Sequence, residues 1–159
     1  RMTVVCIGGN PIGCEKPGWE FNFGNDVEAA NTVLHCGGDI WLIPNNVYGT
    51  MHIGFGEIQR RIAPYGEIGR LLYENLISFY ETENASWSAG ESWSLGDSPA
   101  VGVTLEPNCG SFMYCKAPEV QEDTSYHYPE NSPQIRVYTS INSRFIIEDF
   151  ISKLQILYG

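Results

Sequence analysis

Positive charge is scarce in this chain: nine Lys and Arg stand against nineteen Asp and Glu in 159 residues, a formal net charge of −10. An acidic surface repels phosphate backbones, and no basic cluster or polybasic stretch interrupts it. Neither nucleic acid nor an anionic membrane is therefore an expected partner. Long apolar runs are lacking as well. None approaches the roughly 20 residues needed to span a bilayer, and the opening Arg1-Met2-Thr3 has no signal-peptide pattern, so a cytoplasmic location is the default expectation. The five cysteines, Cys6, Cys14, Cys36, Cys109 and Cys115, form no C-x-x-C pair and no zinc spacing. Their odd number argues against a full disulfide framework, and Cys6 and Cys36 fall in apolar periodic segments where buried, reduced thiols are expected. The sequence shows no repeat and no low-complexity linker. Asn84-Ala85-Ser86 fits the glycosylation sequon, a triplet too frequent by chance to carry weight.

What is present belongs to a globular domain. Apolar residues make up 43% and charged residues 18%, and a domain of this size buries roughly 68–70% of the surface of its unfolded chain. Thr3-Val4-Val5-Cys6-Ile7 followed by Gly8-Gly9 reads as a short buried strand ending in a tight turn. A loop rich in Gly, Pro and Asn follows. Asp26 then caps a helix through Ala29, Ala30, Val33 and Leu34 that stops at Gly37-Gly38. Ile40-Trp41-Leu42-Ile43 is a second buried strand, so the order is that of a parallel βαβ unit.

Farther on, Ile68, Leu71, Leu72, Asn75, Leu76 and Phe79 share one face of a helix of about four turns. Residues 84–94 read as loop and Asp97 to Leu105 as a helix. Ser111 to Cys115 and Gln134 to Thr139 read as strands. A closing helix from Ser143 places Ile146, Phe150, Leu154 and Leu157 on one face. The expectation is a single α/β domain over residues 1–159, and its abrupt opening into a buried strand points to a segment of a longer polypeptide.

In open α/β sheets ligands bind beyond the carboxyl ends of the parallel strands. That rule selects the loop after the first strand, from Gly8 to Asn25, with Glu20, Asn22, Asn25 and Asp26 interleaved with Trp19, Phe21 and Phe23. Extended alternation through residues 19–23 would put the aromatics on one side and Glu20 with Asn22 on the other. A carboxylate beside an amide offers acceptors and donors to a polyhydroxylated ligand such as a sugar. The plainer reading is that both side chains satisfy backbone groups of the loop.

Gly8-Gly9, Glu20-Phe21-Asn22 and Asp26-Val27-Glu28-Ala29-Ala30, in this order and spacing, resemble the signature of the inosine–uridine-preferring nucleoside hydrolases. Leu95-Gly96-Asp97-Ser98-Pro99-Ala100-Val101 is similar to that family's His-Asp-Pro segment, and Asn142 to Leu157 to its closing helix. The resemblance implies a Rossmann-like nucleoside hydrolase fold, of which this chain is the C-terminal half, with mostly parallel strands and flanking helices. It also implies hydrolysis of the N-glycosidic bond of ribonucleosides by a water held on a calcium ion, Ca2+. Glu20 and Asn22 would then bind ribose hydroxyls, and Asp97 would be a calcium ligand. For Asp97 the plainer reading is a helix cap.

Three departures from the family pattern bear on this. The Asp-x-Asp-x-x-x-Asp-Asp run that supplies the general base and most calcium ligands does not occur in the 159 residues, so a missing N-terminal half is the expected partner. Gly96 stands where the family has a proton-donating histidine. Relatives that act on purines stack an aromatic ring on the base instead, and Trp87 and Trp93 are the candidates for that role. His52 is a weaker candidate for the acid; His35 reads as a core-facing helix residue and His127 as a loop residue. Cys14 stands where the family has a ribose-binding asparagine, and Asn10 is the residue that would replace it if the loop folds back.

The leading expectation is thus a nucleoside hydrolase half with a nucleoside substrate. The alternative is a non-catalytic nucleoside- or sugar-binding pseudoenzyme. A third option is a purely structural half-domain, an interface piece in a homo-oligomer, since an uncovered strand edge favours association.

Overall fold

Five residues, four of them β-branched, form strand β1 (Thr3–Ile7) in a computed structural model that describes residues 2–86, 88 and 90–159. A short helix α1 (Phe21–Gly24), helix α2 (Val27–Leu34), strand β2 (Asp39–Ile43) and helix α3 (Asn45–Tyr48) follow. Next come β3 (His52–Gly54), α4 (Phe55–Arg61), α5 (Gly66–Tyr80), a 3-10 turn at Glu83–Ala85 and β4 (Ser92–Ser94). The chain continues through α6 (Ser98–Leu105), β5 (Gly110–Lys116), β6 (Glu119–Val120), β7 (Tyr126–His127), β8 (Gln134–Ile141) and α7 (Ser143–Tyr158). These elements divide into two compact units, residues 1–49 with 97–142, and residues 50–96 with 143–159.

The first unit is built on a four-stranded sheet of order β1-β2-β8-β5. β1 and β2 run parallel from Thr3↔Asp39 to Ile7↔Ile43, and β2 and β8 are parallel at Trp41↔Arg136. Only β5 is antiparallel, with a bulge at Ser111/Phe112. The mixed α/β fold with a mostly parallel central sheet and flanking helices is therefore as expected. Alternation sends Ile40, Leu42, Ile135 and Val137 to one face, where they pack with Leu34 of α2 and with Phe23, Ala117 and Val120. Each of the Ile, Leu, Val and Phe side chains contributes roughly 1.5–3 kcal/mol by leaving water. Helix α2 starts as the sequence predicts, with Asp26 Oδ1 accepting from the Ala29 amide at 2.8 Å, and the chain turns away at Gly37, whose φ is 72°.

Trp41 and Arg136 are register partners, and the guanidinium carbon lies 4.1 Å from the Trp41 ring centroid and 4.3 Å from that of Phe112. The cation is thus held between two aromatic faces. Cys6 is half-buried and its thiol is pushed up by burial, with a further push from nearby Cys36. Cys36 itself is exposed rather than buried, because it falls just past the end of α2. All five cysteines are free.

The second unit has its own core of Ile53, Ile58, Ile62, Ile151 and Leu154, joined by Leu72, Leu76 and Ile147. Two predicted helix faces are corrected here. On α5, Leu72 and Leu76 reach this core while Ile68 is 56% and Leu71 51% exposed. On α7 the face that packs runs through Ile147, Ile151 and Leu154 at i, i+4 and i+7, and Leu157 is 73% exposed. Residues 84–94 are not all loop either: β4 pairs antiparallel with β3, from His52↔Ser94 to Gly54↔Ser92. Arg61 of α4 makes a two-pronged contact with Glu148 of α7, Nη1 to Oε1 at 2.8 Å and Nη2 to Oε2 at 2.6 Å. No helix among the described residues is long and apolar enough to cross a membrane.

Candidate functional site

β1 and β2 end side by side, and their backbones stay joined beyond the last pair. Gly8 N donates to Ile43 O at 3.1 Å and Asn45 N donates to Gly9 O at 2.9 Å. Gly9 has a φ of 80°, and a Cβ there would collide with the Tyr126 hydroxyl and the Phe23 ring. Only glycine fits both constraints. This geometry aims the Gly9 amide at the next turn of the loop.

The target of that amide is Glu20. Residues 19–23 are not extended, as alternation would require; Glu20 is the N-cap of α1 and the chain turns helical immediately after it. Orphan amides at a helix start seek an acceptor, and the Glu20 side chain curls back to supply one. Its Oε2 accepts from Gly9 N at 2.7 Å and Phe23 N at 2.9 Å. Its Oε1 accepts from Asn22 N at 3.2 Å and from the Tyr48 hydroxyl at 2.7 Å. Four donors match the acceptor capacity of a carboxylate, and Glu20 is only 1% exposed. Asn22 remains half-buried and lines a cleft of about 330 Å³ together with Ile7, Phe23 and Asp26.

Two residues not singled out in the sequence hold this loop in place. The buried Thr124 accepts from Glu20 N at 2.9 Å through Oγ1, and that hydroxyl donates to Gly18 O at 3.2 Å. Its φ of 64° is unusual for a β-branched residue. Asn45, the first residue of α3, donates to Asn10 Oδ1 at 3.2 Å. Asn10 is buried, and its Nδ2 donates to Gly18 O at 3.0 Å and Thr124 O at 3.1 Å. Both ends of the Asn10 amide are thus engaged by the protein itself. Cys14 lies in an exposed turn, its amide donating to Pro11 O at 3.2 Å.

Tyr48, the last residue of α3, is the third contributor that sequence reasoning missed. Burial, the hydrogen bond to Glu20 and the charges of Glu20 and Asp97 all push its phenol above the ordinary tyrosine range. Asp97 thus lies within electrostatic reach of Tyr48. Although Asp97 is the N-cap of α6, its exposed side chain makes no cap hydrogen bond, so capping does not account for it. A polar residue just past Pro44, which closes the second strand, was the available signal for Asn45; nothing in the pattern pointed to Thr124 or Tyr48.

Trp93 belongs to the second unit, where its ring stands edge-on to Phe79 at 5.6 Å. Trp87 lies outside the described residues. His52 is exposed on β3 and His127 on β7, while His35 ends α2 with Nε2 3.1 Å from Pro118 O. Among the described residues no group of three or more His, Cys, Asp or Glu gathers. A calcium ion takes roughly six to eight oxygens, and the described residues gather no such set of carboxylates on their own.

An open, mostly parallel sheet with polar side chains gathered beyond the carboxyl ends of its strands defines an α/β protein of the crevice-binding kind. Solved structures sharpen this. The chain superposes on a plant nucleoside hydrolase, the PpNRh1 enzyme, with a TM-score of 0.71 and 19% identity, over 96% of this chain and 51% of that one. It superposes on the purine-preferring ribonucleoside hydrolase from Gardnerella vaginalis with a TM-score of 0.68 and 18% identity, over 96% and 49%. The fold is that of these nucleoside hydrolases, and the chain spans about half the length of each. The sequence matches no family model and no curated protein.

Proposed function

We propose that this chain is the C-terminal half of an N-ribosyl hydrolase that cleaves ribonucleosides to ribose and free base. The observation that carries the reading is a fold likeness over 96% of this chain to half of two nucleoside hydrolases. The polar cluster at the ends of β1 and β2 supports it. Asn22 offers an amide to a ribose hydroxyl, and Glu20 contributes through Oε1, where one of its donors is a side chain. Asp97, uncapped and exposed, serves as one ligand of a calcium ion whose other ligands, with the general base, come from a partner half of the same fold. Bound calcium would ease ionisation of a water and orient the sugar.

Calcium titration by calorimetry tests this, on the chain alone and mixed with an N-terminal half supplied as a separate chain. Binding only in the mixture, lost with Asp97→Ala, is the expected result. No binding in either sample removes the calcium-dependent mechanism. A second reading, a nucleoside- or sugar-binding protein without catalysis, is favoured by Gly96 in place of a proton donor and by the saturated Glu20 carboxylate. Release of free base from inosine or uridine by the mixture separates the two.

A further inference from the structure

Of the four donors on Glu20, three are backbone amides. Gly9 N is fixed by the end of β1, and Asn22 N and Phe23 N by the first turn of α1. Tyr48 is the exception, since a phenol can leave by side-chain rotation without disturbing the fold. It also meets Oε1, whose other donor, Asn22 N, is the most distant of the four at 3.2 Å. Glu20 is almost fully buried whereas Tyr48 is half-exposed, so the phenol covers the carboxylate on its outer side.

We propose that Tyr48 is a built-in occupant of the ligand position on Glu20, and that a polyhydroxylated ligand binds by replacing the Tyr48 hydroxyl on Oε1 with one of its own. The inference rests on the reading that Glu20 faces ribose. It makes Tyr48 a specificity-determining residue. A ligand lacking the matching hydroxyl would leave Oε1 one donor short after expelling the phenol, and sites built around a hydroxyl discriminate strongly against its absence. Burial and the neighbouring carboxylates keep the phenol protonated, so it stays a donor until a ligand displaces it.

Binding of D-ribose to the full chain, with calcium and the N-terminal half present, provides the test, with wild type, Tyr48→Phe and Glu20→Gln compared by calorimetry. Tyr48→Phe should bind ribose about tenfold more tightly, a gain of about 1.4 kcal/mol, because no competitor remains. Glu20→Gln should lose binding. A tyrosine important only for structure would give the opposite sign, weaker binding. An absorbance titration gives an independent readout: saturating ribose should shift one tyrosine to lower pH in wild type and none in Tyr48→Phe. Should Tyr48→Phe fail to fold, the wild-type titration decides, and an unshifted tyrosine overturns the proposal. Equal or weaker ribose binding by folded Tyr48→Phe, with wild type binding, overturns the Tyr48 role and leaves the ribose reading standing. Absence of ribose binding in every form overturns both.

Discussion

At the residue scale the loop between β1 and α1 depends on a few side chains that each serve several backbone groups. Removing the Thr124 hydroxyl strands the buried Glu20 amide, and leaving a buried donor unsatisfied costs about 1–3 kcal/mol. Thr124→Ala should lower stability by that amount in urea denaturation, whereas Thr124→Ser, which keeps the hydroxyl, should stay close to wild type. Gly9→Ala should destabilise by about 1–3 kcal/mol in the same assay, since its positive φ and the nearby Phe23 ring both oppose a side chain. Glu20 and Asn22 were legible as candidates because they lie in the loop after the first strand, whereas Asp97 was a candidate only through the family resemblance. Their contacts were not. The partners of Glu20 are amides, a threonine and a tyrosine, residue types too common to be noticed until the chain brings them together.

Elements with complete local signals were placed correctly, although β1, expected to be buried, is only half-buried. Strand β1 with its glycine stop and helix α2 with its Asp26 cap carry their own boundaries, and Asp26→Ala should cost about 1 kcal/mol of stability, measured by urea midpoint. The short elements α3, β3 and β4 were missed because three or four residues are too few to display a period. Helices α5 and α7 were found with only part of the expected face inward: Leu72, Leu76, Ile146 and Leu154 are covered, while Ile68, Leu71, Phe150 and Leu157 are exposed. Both carry apolar residues on more than one side, so periodicity defined the helix without choosing which stripe the neighbours would cover. Between α4 and α7 the hydrogen bonds from Arg61 hold the Glu148 carboxyl below its ordinary range. A carboxyl depressed in the folded state stabilises above its unfolded pKa, about 4.3, and that contribution disappears as pH falls through the folded value. Arg61→Gln should therefore flatten the acid limb of a thermal-melting profile while leaving the profile near neutral pH less affected in shape.

At the scale of the whole molecule, α/β character was legible throughout, because strands and helices alternate in the sequence. The order β1-β2-β8-β5 was not, since long-range pairing of Gln134–Ile141 with β2 leaves no local trace. β1 stands at an edge of that sheet among the described residues, and Ile68, Leu71 and Leu157 are exposed on the helices. Self-association of the 159-residue chain is the expected result of sedimentation, and a well-behaved monomer would refute it. At the alkaline end, Tyr48 and Tyr126 both hold their protons above the unfolded value of about 10. Their contribution is complete below that pH and is lost as pH rises through the folded values.

The bond from the Glu20 amide to the Thr124 hydroxyl joins positions 104 residues apart. Such a closure has an entropic cost that local contacts escape, so it is expected to form after the local helices and the β1–β2 pair. A ribosome releasing this chain from its amino end would have β1, α1 and β2 outside long before Thr124 emerged. The pocket loop would then wait, incompletely ordered, for the last third of the polypeptide to arrive and lock it.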